Sequence, residues 1–125
     1  MKCLLFVLLT FTAVSDVEIN LDAIAAAVKK GDAAALSSYF DQEVEVSIKD
    51  EAGFYSKSEA TGLVQKFFAQ HKPTGFSQVH NGSSPGDAQY CIGNLTTANG
   101  TFRVYIYIAK KGAKEMIQEI RFDKN

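Results

Sequence analysis

The segment on which the fold prediction depends is Thr101-Phe-Arg-Val-Tyr-Ile-Tyr-Ile-Ala109. It contains no Gly, Pro, Asp or Asn, and its middle is β-branched or aromatic, which is typical of a strand. Side chains alternate along a strand, and one face carries only apolar residues: Phe102, Val104, Ile106 and Ile108. The other face carries Arg103, Tyr105 and Tyr107. Because an aromatic face is unusual in water, we expect a central strand that is covered on both faces.

Hairpin turns lie on both sides of this strand. Asn99-Gly100 precedes it and is a strong hairpin signal, and Lys110-Lys111-Gly112 follows it. The neighbouring strands are predicted at residues 76–81, 88–97 and 114–122. Consecutive hairpins of this kind favour an antiparallel meander.

The preceding part of the chain predicts three helices and two strands. The helices span residues 21–30, residues 33–40, and a third segment that ends at about His71. Each helix has a capping residue before it, respectively Asn20, Asp32, and Ser56 or Ser58. The two strands are predicted at residues 44–48 and 54–55. The order α-α-β-β-α-β-β-β-β predicts an α+β domain, with three helices packed on a curved antiparallel sheet.

The first fifteen residues have the form of a secretory signal peptide. Lys2 supplies a basic start, and residues 3–14 are an almost unbroken apolar run. Small residues follow at the −3 and −1 positions, Ala13 and Ser15, so we expect cleavage before Asp16.

This cleavage would divide the chain into a leader, residues 1–15, and a single domain, residues 16–125, that is periplasmic or secreted. The apolar run is shorter than the roughly 20 residues of a membrane-spanning helix. Cys3 precedes the run, whereas a lipid-modified cysteine should follow it, so we expect no lipid anchor. Only Cys91 would remain after cleavage, and its position in an apolar strand indicates a buried side chain.

A helical pair joined at Gly31-Asp32 leads directly into a strand. The motif is Gly31-Asp32-Ala-Ala-Ala-Leu36-Ser-Ser-Tyr-Phe40-Asp41, and residues 58–68 supply the third helix. Motif and element order resemble the nuclear transport factor 2-like superfamily over residues 19–123. This resemblance implies a cone-shaped fold, a pocket between sheet and helices, and frequently a dimer packed sheet to sheet.

A second resemblance is narrower and lies in the strands. It is carried by residues 76–84, 90–93 and 100–105, which are similar to a family of exported bacterial domains with no assigned function. Neither resemblance implies an activity, because one fold supports many functions.

The catalytic base of the superfamily's isomerases has no counterpart here. The resemblance places that aspartate at Ser47 or Ile48, and neither side chain can act as a base. Asp50 is nearby but falls in a predicted turn, where a solvated carboxylate is the usual finding. A tyrosine such as Tyr39 or Tyr90 can stabilise an oxyanion, but without a base it only supplies a hydrogen-bonding pocket.

His80 is the stronger candidate for a ligand-binding or catalytic residue. Arg103 and Tyr105 share a strand face, and one register brings Tyr90 to the same face. Such a cluster could bind a carboxylate or phosphate, with Arg supplying a bidentate fork. One alternative is an isomerase, lyase or hydrolase in which His80 is the base and Tyr90 and Arg103 position the substrate. Another is a structural network, or a homodimer interface through Arg103, Tyr105 and Tyr107.

Several function classes find no support in the sequence. A net charge of −1 gives no basic surplus for nucleic acid. Two separated histidines and one cysteine do not form a metal site, and no glycine-rich loop precedes a helix to hold a cofactor phosphate. His71, at the end of a helix, is interpreted as compensating the helix dipole. The leading hypothesis is therefore an exported, non-enzymatic domain that binds a small ligand or a protein partner.

Overall fold

The computed structural model describes residues 21–84, 86, 88–112 and 114–125, so the predicted leader lies outside the described residues. The helices are α1 (Leu21–Lys30), α2 (Ala33–Ser37) and α3 (Lys57–Gln70). The strands are β1 (Phe40–Ile48), β2 (Glu51–Ser56), β3 (Pro73–Ser84), β4 (Ala88–Thr97), β5 (Gly100–Lys111) and β6 (Lys114–Lys124). This is the predicted element order. No helix in the described part is both long enough and apolar enough to cross a membrane.

The strands form one sheet in the order β2-β1-β6-β5-β4-β3. Strands β3 to β6 make the predicted antiparallel meander, and β1 and β2 form a separate hairpin. One pairing differs from the expected antiparallel sheet, since β1 and β6 are parallel. The reason is topological: α3 carries the chain from one edge of the sheet to the other, and the meander then returns to the first hairpin.

The apolar face of β5 covers the core, as predicted. Its four inward side chains are each at most 1% exposed: Phe102, Val104, Ile106 and Ile108. Phe67 of α3 packs edge-on against Phe102, with ring centroids 5.0 Å apart, and stacks on Phe122 of β6 at 4.2 Å. The apolar face of β5 therefore packs against α3.

The opposite face of β5 is not covered as we expected. Core residues of all three helices pack on the apolar face of the sheet. On the other face, called the outer face below, Arg103 is exposed while Tyr105 and Tyr107 are half-buried. Among the described residues, only neighbouring side chains of the same face shield these tyrosines.

Helix α2 is shorter than predicted and ends at Ser37 instead of Phe40. The hydroxyls of Ser37 and Ser38 bond back to carbonyls three residues earlier, at 2.8 and 2.6 Å, and so compete with helix continuation. The carbonyl of Tyr39 then accepts from the Ile117 amide at 2.6 Å. Pairing with β6 therefore begins here, and Phe40 belongs to β1.

The turn between β1 and β2 is tighter than predicted. Ile48 pairs with Glu51, so only Lys49 and Asp50 form the loop, with φ values of 51° and 69°. Two positive φ values are the mark of a type I′ hairpin turn, which the sequence signals weakly without Gly. The short turn fixes Lys49 and Glu51 at the end of this hairpin.

Candidate functional site

A cavity of about 310 Å³ lies between α3 and the hairpin of β1 and β2, on the helix side of the sheet. Its floor is formed by three buried residues: Val46, Phe67 and His71. Its rim is formed by four exposed polar residues: Lys49, Glu51, Lys66 and Gln70. An enclosed apolar floor below a few polar groups is the usual form of a small-molecule site.

His71 is held rigidly at the floor of this cavity. The residue is 8% exposed, and its Nδ1 lies 2.8 Å from Oδ1 of Asn99. Its ring packs against two phenylalanines, with centroids 4.9 Å from Phe67 and 4.8 Å from Phe102. Packing and hydrogen bonding together therefore fix both the position and the rotation of the imidazole.

The Asn99 amide also determines which nitrogen of His71 carries the proton. Nδ2 of Asn99 donates to the carbonyl of Gln70 at 3.2 Å, and a carbonyl can only accept. Oδ1 must therefore face His71, and Nδ1 of His71 must be the donor. In the neutral ring this leaves Nε2 with a free lone pair. Among the described residues, none hydrogen-bonds to Nε2, so it remains available to a ligand.

Two loops bring His71 and Asn99 together. His71 is the C-cap of α3, and Asn99 lies in the turn between β4 and β5. The amide of Ala98 donates to the carbonyl of Lys72 at 3.0 Å, which ties the two loops to each other. The sequence interpretation of His71 as a dipole-compensating residue missed this role. No local signal could have found it, because the partner is 28 residues away.

The rim of the cavity carries more positive than negative charge. Lys49 and Lys66 face one carboxylate, that of Glu51. In the part of the chain that the structure describes, neither lysine forms an ion pair. The arrangement therefore offers a ligand two cations at the mouth, an apolar floor and one oriented hydrogen-bond acceptor.

The predicted ligand-binding residues lie on the outer face, away from this cavity. Nε2 of His80 is 3.0 Å from the hydroxyl of Tyr90, and the Tyr90 ring stacks near Tyr105 with centroids 6.3 Å apart. Arg103 borders a second depression beside Tyr105 and Arg121. The structure thus brings His80, Tyr90 and Tyr105 together. Within the described residues, no hydrogen bond joins Arg103 to His80.

A carboxylate pair lies on the outer face, beside Tyr107. Glu45 and Glu119 are direct neighbours on the paired strands β1 and β6, and we call them the acidic end. Burial raises the pKa of Glu119 above its usual range, and the charge of Glu45 and a hydrogen bond to it act in the same direction. Burial and then the charge of Glu119 raise the pKa of Tyr105. These groups therefore form one electrostatically coupled patch.

The described residues contain no group of three His, Cys, Asp or Glu side chains placed to hold a metal ion. Cys91 is buried at 2% exposure, as predicted, and burial raises the pKa of its thiol. Because the thiolate is the reactive form, Cys91 acts as a core residue and not as a nucleophile.

Helices on one side of a single curved sheet place the chain in the nuclear transport factor 2-like, or cystatin-like, class of α+β domains. The chain is similar to a domain of unknown function with a cystatin-like fold from Nostoc punctiforme, with a TM-score of 0.65. Identity is 8%, over 84% of this chain and 72% of the other, so this likeness shows the fold alone.

Within that class, the chain belongs to the DUF4783 family, a domain of unknown function, whose sequence pattern matches residues 21–123. The crystal structure of a family protein from Bacteroides uniformis is 31% identical, with a TM-score of 0.81, over 86% of this chain and 98% of the other. A family protein from Bacteroides ovatus is 32% identical, with a TM-score of 0.79, over 82% and 93%. A comparison with curated proteins found no match. The predicted fold, and the prediction of a family with no assigned function, are thus confirmed.

Proposed function

We propose that this protein is exported and binds a small organic ligand in the cavity between α3 and the hairpin of β1 and β2. The observation that carries the proposal is His71, which is buried at the cavity floor with Nδ1 held by Asn99. Its Nε2 is left without a partner among the described residues. Nε2 is not among the buried atoms that lack a hydrogen-bond partner in the described residues, so solvent or a ligand can reach it. An oriented acceptor that a ligand can reach beside a cavity is typical of a binding site.

Filling the cavity tests this proposal. Leu63 of α3 is half-buried and borders the cavity, so Leu63→Trp places an indole where a ligand would lie. In an NMR screen of a diverse fragment library, we expect fragments to shift the His71 ring and Val46 methyl signals of the wild type. Because the indole excludes them, their affinity for the variant should fall at least about tenfold, or about 1.4 kcal/mol.

The matched control is Val79→Trp, at an exposed position of β3 away from the cavity. This variant should bind the fragments as the wild type does, and circular dichroism should show that both variants fold. Binding that persists in the Leu63→Trp variant, or a library without any fragment that reaches the cavity, would contradict the proposed function.

Export rests on the pattern of residues 1–15, and it predicts a defined new N-terminus. When the full chain is produced in a bacterium, the intact mass of the protein released from the periplasm should correspond to a chain that begins at Asp16. Ala13→Arg should block cleavage, because signal peptidase requires a small residue at this position. A wild-type chain that keeps Met1 and stays in the cytosol would rule out the predicted leader.

We also propose that a second copy of the chain covers the outer face. The half-buried tyrosines Tyr105 and Tyr107 lie at its centre, and aromatic residues are enriched at interfaces. On the paired strands β5 and β6, the acidic end lies beside Tyr107, Arg121 lies beside Tyr105, and Arg103 lies beside Asp123. Asp123 is 3.8 Å from Arg121, so two arginines and one aspartate leave this part of the face with a net positive charge. A two-fold axis reverses this order in the partner, so the acidic end of each copy would face the arginines of the other.

Reversing one charge of this face should weaken self-association. Arg103→Glu removes a cation that would face the partner's acidic end, and we expect the dimer dissociation constant to rise at least about tenfold. Lys30→Glu makes the same charge change on an exposed residue of α1 and should leave the constant unchanged. Sedimentation equilibrium measures both. A wild-type domain that is monomeric at micromolar concentration would disprove the dimer.

Catalysis by His80 has less support than ligand binding. The imidazole is exposed on the outer face, and its Nε2 is already engaged by the hydroxyl of Tyr90. General-base chemistry works best where water is excluded and the substrate is enclosed. We therefore do not extend the proposal to an isomerase, lyase or hydrolase.

A further inference from the structure

We infer that the ligand of this cavity is a small amphipathic carboxylate with a hydroxyl group at the opposite end. The inference rests on the proposed function, because it names the chemical class that the same cavity selects. Three independent features support it: the charge of the rim, the orientation of His71, and the size and polarity of the space between them.

The rim selects an anionic group. Lys49 projects from the tight turn between β1 and β2, whose backbone is anchored by the Lys49 amide donating to the Phe122 carbonyl at 2.9 Å. Lys66 lies on α3, on the other side of the mouth. Both ammonium groups are without an ion pair in the described part of the chain. With a single acid, Glu51, between them, the mouth attracts a carboxylate and repels a cation.

The floor selects a hydrogen-bond donor. Because Asn99 holds the proton of His71 on Nδ1, the neutral ring offers a ligand in the cavity only an acceptor, the accessible Nε2. A ligand group that is itself only an acceptor would leave Nε2 unpaired, at the cost of a buried polar group without a partner. A hydroxyl group of the ligand can donate a hydrogen bond to Nε2. The carboxylate of the ligand therefore belongs at the rim and its hydroxyl at the floor.

The space between rim and floor selects an apolar body of limited size. Most of the side chains that border it cannot hydrogen-bond, and Tyr55 adds an aromatic ring with a single hydroxyl. The apolar residues are Val46, Ile48, Leu63 and Phe67. A volume of about 310 Å³ holds about ten water-sized groups, at about 30 Å³ each. The ligand should therefore have about ten to fifteen non-hydrogen atoms. A free inorganic anion would leave the apolar walls without contacts, and a folded partner could not enter.

Three matched compounds test the assignment: para-hydroxyphenylpropionate, phenylpropionate, which lacks the hydroxyl, and para-hydroxyphenylpropanol, which lacks the carboxylate. NMR titrations of the wild-type domain report binding through the methyl signals of Val46 and Leu63. We expect the hydroxy acid to bind most tightly, and removal of either polar group to weaken binding about fivefold. The double variant Lys49→Gln, Lys66→Gln should weaken the acids by a similar factor and leave the alcohol unchanged.

Nitrogen-15 NMR of the histidines tests the floor separately. The proton should reside on Nδ1 of His71 in the free protein, and the Nε2 signal should move with the hydroxy acid and the alcohol but not with phenylpropionate. A control variant, Lys29→Gln with Lys57→Gln, removes two exposed lysines outside the cavity and should change nothing. A purely structural role of His71 would not produce this dependence on the ligand hydroxyl.

The outcomes separate this inference from the proposed function. The carboxylate assignment is overturned if the hydroxy acid and the alcohol bind equally well and the Lys49→Gln, Lys66→Gln variant binds the acids as the wild type does. A proton on Nε2 of His71 overturns the hydroxyl assignment. If library fragments of other chemistry enter the cavity and all three compounds fail, the class is wrong but the cavity remains a binding site. If no fragment enters, the proposed function fails as well.

Discussion

Replacing Phe67 by alanine is expected to lower the free energy of unfolding by about 3–5 kcal/mol. The side chain is 2% exposed and packs against four other rings, those of Phe122, Phe102, His71 and Phe68, at centroid distances of 4.2, 5.0, 4.9 and 5.9 Å. Phe67 also forms part of the cavity floor. The void left by the ring would join an existing cavity, so the neighbouring side chains cannot close it, and the cost should lie in the upper part of the range.

Phe54→Ala is the matched control for this prediction. The same ring is removed from β2, but Phe54 is 70% exposed and belongs to no core cluster of the described residues. Its loss should change the free energy of unfolding by less than about 0.5 kcal/mol. Equilibrium unfolding in urea measures both variants. A cost below about 1 kcal/mol for Phe67→Ala, or a similar cost for Phe54→Ala, would contradict the core described above.

The features that the sequence predicted correctly depend on local physics. The apolar alternation of Thr101–Ala109 needed only the two-residue period of a strand, and the buried face follows from it. The caps are equally local: Asp32 accepts from the Ala35 amide at 3.0 Å, and Ser56 accepts from the Glu59 amide at 3.2 Å. Each of these residues caps the helix that follows it through an amide three residues away, so the interaction does not depend on distant parts of the chain.

The candidate site could not be predicted from the sequence, because its residues come from helices, strands and turns that are far apart in the chain. Lys49 lies in a hairpin turn, Lys66 on an exposed face of α3, and Asn99 in a turn between two later strands. Each is an ordinary surface residue in its local sequence. Only the tertiary fold places Lys49 and Lys66 at one cavity and Asn99 against His71. His80, Tyr90 and Tyr105 were easier to group, since the register of adjacent strands places them on one face.

Gly93→Ala is expected to lower the free energy of unfolding by about 1–3 kcal/mol. Gly93 is buried in β4, and the ring of Phe76 from β3 lies directly over it. A Cβ atom at this position would overlap that ring and would also lie 2.8 Å from the backbone carbonyl oxygen of Ser77. The ring packs against the core, and the carbonyl belongs to a paired strand. Neither can move without disturbing the sheet.

Gly82→Ala creates a similar overlap at a position where it should cost much less. The three atoms nearest to the Cβ atom would all belong to the ring of Tyr90, which lies on the outer face and can rotate away. The rotation would break the hydrogen bond between Tyr90 and His80, an exposed interaction that contributes about 1 kcal/mol or less. In urea unfolding, the Gly93→Ala variant should therefore be clearly less stable than the Gly82→Ala variant. Equal stabilities, or the reverse order, would show that Phe76 is free to leave Gly93 and that this edge of the core is loosely packed.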